Sequence, residues 1–265
     1  MTYWGNQDFF LEVAQGNVEG VKMFEVPGRR DGLSATGLAD ISQIPSTESI
    51  FVIPNPDGQQ LELLSASSQD TVAGTGVQTL ELEFLDSAGA EQAETIILNG
   101  TTPVATNSTD IFRVQWMHGV TVGTNTVSEG NITLRSTVGG DTFEYIEAGG
   151  NQSLSARYTI PAGKTGYIMG WHASAIVKIV DFRLRATVDR FTRNLQSAFN
   201  FQDAIVLDDA PSGWVPFNVP RKCPATSQIK VSGKSAAAGG DAGCQFDILL
   251  IDDDVKVKPR VNRLR

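Results

Sequence analysis

Two cysteines and two histidines are all that this 265-residue chain holds of the side chains that most often bind transition metals. Cys223 and Cys244 lie in no CxxC, and His118 and His172 lie in no HExxH, so neither a zinc pattern nor a Cys–His nucleophile is announced. A disulfide between the cysteines requires neighbouring strands, and two reduced, buried thiols are the leading expectation for a cytoplasmic product. Uninterrupted apolar runs are too short to span a bilayer. The opening "MTYWGNQDFFLEVAQG" has no basic n-region, apolar core or small-residue cleavage site, so no leader peptide and no membrane partner are expected. Positive charge is also scarce: a net charge of −9 disfavours general nucleic-acid binding, which needs clustered Lys and Arg. One segment departs from this. "VKVKPRVNRLR" carries Lys256, Lys258, Arg260, Arg263 and Arg265 with no acid, directly after Asp252, Asp253 and Asp254. It reads either as a solvated tail or as an arm that docks on an acidic neighbouring subunit.

Local motifs for chemistry fail in turn. "PAGKT" (Gly163, Lys164, Thr165) and "VSGKS" (Gly233, Lys234, Ser235) imitate the end of a phosphate loop, but Tyr158 and Gln228 stand where the first glycine must be. "AGTG" at 73–76 lacks the third glycine and the helix of a dinucleotide site. The Asp208–Asp209 pair and the 252–254 run match no calcium loop, and no GxSxG supplies a nucleophile elbow. No catalytic residue, metal or cofactor is therefore expected, and none of the aromatic–basic interleaving that stacks bases is found.

What is abundant is β-chemistry. In "VQTLELEFLD", Leu80, Leu82 and Phe84 face one way and Glu81 and Glu83 the other, the period of a half-buried strand. "DSAGA" turns the chain, "ETIILNG" returns it, and Asn99–Gly100 turns it again, which makes a hairpin. "QQLELLSAS", "DIFRVQWM", "GNITLRST", "DTFEYIEA", "LSARYTIP", "GYIMGWHASAIVKIVDFRLRATV", "SQIKVSG" and "CQFDILLID" read as further strands. The 26 glycines suit tight turns and bulges. The one convincing helix is short, within 8–20, with Asp8 as cap and Gly16–Asn17 as stop. The fold class is all-β: an antiparallel sandwich or jelly-roll-like region over 59–265, with a subdomain division near 175–195. It is preceded by an extended docking arm over 1–58 and ends in a basic tail over 255–265. No internal repeat is present.

Several stretches, taken in order, resemble a family of tailed-bacteriophage virion proteins common in marine phages. They are "FFLEVAQGNVEGVKMFEVPGRRDGL" with "SATGLADI", "DTVAGTGVQTLELEFLDSAGAEQAETIILNGTTPV", "ARYTIPAGKTGYIMGWHAS" and "CQFDILLIDDD". The pair Arg29–Arg30 in "VPGRRD" departs from the family form, and no role is carried over to it. The resemblance implies a virion structural protein, assembled in the host bacterial cytoplasm and not an enzyme. The leading expectation is a capsid decoration or cement protein that binds the major capsid protein through its arm, as a homotrimer. Trp4, Phe9, Phe10, Met23 and Phe24, with the basic tail, are its candidate interface. The alternatives are a tail or fibre component, which would bind a receptor, and a surface-glycan depolymerase.

Overall fold

The computed structural model describes residues 9–45, 55–176, 178–208 and 212–255. Helix α1 (Phe9–Ala14) leads into strand β1 (Val21–Leu33) and the short β2 (Ala39–Asp40). Seven strands follow: β3 (Leu61–Ser65), β4 (Val77–Asp86), β5 (Glu91–Ile97), β6 (Val104–Ala105), β7 (Ile111–Val122), β8 (Ile132–Ser136) and β9 (Thr142–Ile146). The last seven are β10 (Arg157–Thr159), β11 (Lys164–Ile176), β12 (Val180–Val188), β13 (Leu195–Leu207), β14 (Ser212–Cys223), β15 (Gln228–Ser235) and β16 (Gly240–Asp252). All strand pairs are antiparallel, so the all-β expectation holds.

Two sandwiches result, one inserted in the other. The host pairs a β1–β16–β11–β14 sheet with a β10–β15–β12–β13 sheet to which β2 adds. Its core contains Trp171, Phe182, Phe246, Ile168, Leu184 and Val231. The inner unit packs a β6–β3–β8–β9 sheet on a β5–β4–β7 sheet around Leu63, Leu80, Leu82, Phe84, Met117 and Phe143. The two cores are separate clusters. The chain leaves the host and returns to it at Ser42 and Ser155, which form a β-bridge and whose hydroxyls lie 2.9 Å apart.

Two expectations from the sequence change here. Much of the arm is not irregular: Val21–Leu33 is a full strand whose partner is β16, with Phe24 opposite Ile248 and Val26 opposite Phe246. Pro27 is tolerated because β1 is the sheet edge. Gly28 is required by packing, since a Cβ there would stand 2.5 Å from the Ala156 Cβ and 2.8 Å from the Ile41 carbonyl oxygen. The division near 175–195 also moves. Residues 175–195 lie inside the host sandwich, where β11 gives way to β12, and the real divisions lie on either side of 61–146. The expected cap, Asp8, lies outside the described residues, and the helix closes at Gly16, with φ of 73°, at the stop expected from the sequence. Only its Val13 is buried, against Val21 and Leu249. Among the described residues no helix is long and apolar enough to cross a membrane.

Candidate functional site

The hairpin at 80–104 forms as its alternation predicts. Leu80, Leu82 and Phe84 are buried, while Glu81 and Glu83 point outward from β4. Strand β7 then lies beside β4 in a register that places His118 opposite Glu81 and Trp116 opposite Glu83. The imidazole stacks on the Trp116 indole, with ring centres 4.3 Å apart and planes 23° from parallel. His118 Nε2 lies 3.9 Å from Glu81 Oε1, beyond hydrogen-bond reach. One ligand atom from each of Glu81, Glu83 and His118 lies within 4.8 Å of the others.

This cluster flanks a cleft of about 420 Å³ between the two units. Phe24, Glu25 and Tyr158 of the host line one side, and Glu83, Trp116 and Gln152 the other. Phe24 meets the Tyr158 ring edge-on at 5.0 Å. Burial pushes the Glu83 carboxyl up, opposed by His118 and reinforced by Glu81 and Glu91. The Tyr158 hydroxyl is likewise pushed up, mainly by burial.

Polar ties join the two units, and one of them starts from Gln115 in the lining of the cleft. Gln115 donates to the Thr159 carbonyl at 2.6 Å, and its own amide oxygen accepts from the Thr159 N–H at 3.0 Å. Arg157 of β10 pairs with Glu144 of β9 at 3.1 Å. Lys164 bridges Glu91 at 3.3 Å and Asp252 at 2.6 Å. That last contact disposes of the first phosphate-loop imitation, whose lysine is spent on carboxylates while Thr165 donates to Asp253. The second imitation lies in β15, with Lys234 opposite Asp181.

On the outer face of the host, Asp247 of β16 stands opposite Glu25 of β1. It is 9 % exposed, and its Oδ1 has no hydrogen-bond partner. Burial first, and Glu25 second, push its carboxyl up to about 6. The folded state therefore holds this proton more tightly than the unfolded chain does. The stabilisation from protonation is fully present below the ordinary carboxylate range and is lost as pH rises through about 6. Asp247→Asn is expected to raise stability by on the order of 2 kcal/mol at pH 8 and to change little at pH 4. Urea unfolding midpoints at the two pH values check this.

Of the interface residues expected from the sequence, four are described, on α1 and β1. Phe9 and Phe10 are exposed on α1, 48% and 41% respectively, with their rings edge-on at 5.6 Å. Met23 is exposed on β1, whereas Phe24 packs on the host core and lines the cleft. Trp4, Lys256, Lys258, Arg260, Arg263 and Arg265 lie outside the described residues. Cys223 and Cys244 are buried free thiols, and burial pushes both up. The Glu81–Glu83–His118 cluster carries no local motif, because it exists only through the β4–β7 register.

No family model and no curated protein matches the chain. Among solved structures, one of infectious bursal disease virus, Gt strain, aligns over 92% of this chain and 78% of that one, at 11% identity and a TM-score of 0.24. T=1 particles derived from infectious bursal virus align over 89% and 70%, at 12% identity and a TM-score of 0.24. A VP2 subviral particle of infectious bursal disease virus aligns over 92% and 78%, at 9% identity and a TM-score of 0.18. Likenesses this slight carry neither fold nor function to this chain.

Proposed function

We propose that this protein is a virion structural protein that works by assembling with copies of itself and with other virion proteins, in the manner of a capsid decoration protein, and catalyses no reaction. The observation that carries the reading is the state of β13. This strand is the outer edge of its sheet over thirteen residues, and only Gln202 and Leu207 of them are buried. It holds a single charged residue, Asp203, and no proline, and it displays Leu195, Phe201 and Val206, the last 59% exposed. Such an edge offers free backbone donors and acceptors beside apolar side chains, the arrangement that monomeric β-proteins normally blunt. The adjoining β14 is the edge of the other host sheet and adds exposed Trp214 and Val219. A second copy of this chain is the occupant, extending the sheet by strand addition. The sequence resemblance to phage virion proteins agrees with this reading.

The wild-type chain is expected to be a homo-oligomer by light scattering, with three subunits the specific expectation. Phe201→Lys combined with Val206→Lys is expected to weaken association by at least about tenfold, the effect of burying uncompensated charge at an interface. A monomeric wild type, or a variant that associates undiminished, overturns the β13 interface. Copy number in purified particles tests the role itself. A count comparable to the major shell protein supports decoration, a small multiple of the tail symmetry assigns a tail component instead, and absence from particles overturns both.

A further inference from the structure

We infer that Glu81, Glu83 and His118 form a binding site for one divalent first-row transition-metal ion, a function separate from the assembly role proposed above. Three features carry this. The first is convergence: two residues of one face of β4 and one of β7 bring two carboxylates and an imidazole together, with ligand atoms within 4.8 Å of one another. In a tetrahedral shell, ligand bonds of about 2.0–2.2 Å set two donors of one ion about 3.3–3.6 Å apart. The 3.9 Å between His118 Nε2 and Glu81 Oε1 is slightly wider than that spacing, so side-chain torsions must draw the donors in around an ion.

The second feature is that these groups are otherwise unspent. Among the described residues neither carboxylate accepts a hydrogen bond, and neither ring nitrogen of His118 makes one; Nδ1 is buried without a partner. Of the buried carboxylates elsewhere, Asp70, Asp40 and Glu144 each hold several donors, while Asp247 keeps one unpartnered oxygen. Here two acids stand side by side with Glu91 adding to the negative charge, and only His118 and, least of the charges, Lys22 oppose it, an arrangement that a bound cation relieves.

The third feature is rigidity. The imidazole is clamped on Trp116, and both strands are pinned by the hydrophobic core beneath them. A preset site of this kind loses little conformational entropy on binding. The donor set of two oxygens and one imidazole nitrogen suits Zn²⁺, Co²⁺, Ni²⁺ or Mn²⁺, whereas Ca²⁺ takes six to eight oxygens. Three protein ligands leave coordination positions open toward the cleft, where water or an anionic group completes the shell.

The test uses the full chain, treated with chelator and titrated with ZnCl₂ by calorimetry. One ion per chain is expected. Ni²⁺ is expected to quench the fluorescence of a single tryptophan, Trp116, out of the four present. Glu81→Gln, Glu83→Gln and His118→Gln are each expected to weaken binding by at least about tenfold, and the triple variant to abolish binding and quenching together. Cys223→Ser with Cys244→Ser, and the remote Glu19→Gln, are expected to leave affinity unchanged. Circular dichroism establishes that the variants are folded. No saturable binding by the wild type at millimolar Zn²⁺, or wild-type affinity in a folded triple variant, overturns the site.

Discussion

Replacing Glu144 by Ala is expected to cost about 3–5 kcal/mol, the range for removing one partner of a buried ion pair. Glu144 is fully buried at the junction of the two units. Its Oε1 accepts from the Ser155 hydroxyl at 2.5 Å and the Tyr145 N–H at 3.1 Å, and its Oε2 faces Arg157. Arg157 also donates to the Phe143 carbonyl. Arg113 lies close by, and burial together with the charge of Arg157 lowers its guanidinium to about 10. Without Glu144, Arg157 loses its buried carboxylate beside a second guanidinium, that of Arg113. Removing Arg157 as well is expected to restore part of the loss, so that a double-mutant cycle returns a coupling of about 1–3 kcal/mol. Because the two cores are separate, weakening this tie is also expected to split one urea transition into two. A cost below about 1 kcal/mol would mean that the junction is held elsewhere.

Asp70→Ala is expected to have a comparable effect, about 3–5 kcal/mol, confined to the inner unit. Asp70 is fully buried, and its carboxylate gathers four donors: the Ser65 hydroxyl at 2.5 Å and the N–H groups of Val77, Glu129 and Gly130 at 2.8, 2.9 and 2.9 Å. These come from three separate stretches of chain, so one side chain ties the start of β4 to the turn before β8. Truncation leaves buried N–H groups unsatisfied, each costing about 1–3 kcal/mol. Asp70→Asn keeps the shape but turns an N–H₂ toward N–H donors, and is expected to lose about half as much. Hydrogen exchange at the Val77, Glu129 and Gly130 amides locates the damage. Equal loss of protection throughout the host would show that the two units unfold as one.

Asp70 also explains a motif that had no evident purpose in the sequence. The last glycine of "AGTG", Gly76, has no phosphate to cradle; a Cβ there would stand 2.0 Å from Asp70 Oδ1. Local pattern displayed the glycines without their reason, which lies in a contact across the turn. The same contrast runs through the fold. Strand β4 was legible because one face meets a core and the other meets water. Strand β1 was not, since Pro27 and Gly28 mask its alternation and its pairing with β16 is set more than two hundred residues away. Strands β13 and β14 were missed although Phe199, Phe201, Ile205 and Leu207, and Val215, Phe217 and Val219, stand at period two, because Asp203 breaks the first series and Pro216 and Pro220 mark the second as unlike a strand. At the site, Glu81 and Glu83 were correctly placed on an outward face, yet His118 was a lone histidine until the β4–β7 register set it beside them.

The neck at Ser42 and Ser155 has a consequence for the order in which the molecule forms. The entropy of closing a flexible loop grows with the logarithm of its length, and host strands β1 and β16 stand at opposite ends of the described chain. Once the inner sandwich has collapsed, the 113-residue separation between the two serines shrinks to one hydrogen bond. For the host, the chain is then shorter by the whole of that detour, and its long-range pairings become far more local. An inner unit that forms first would act as a folding staple, drawing together the two halves of the sandwich that encloses its ends.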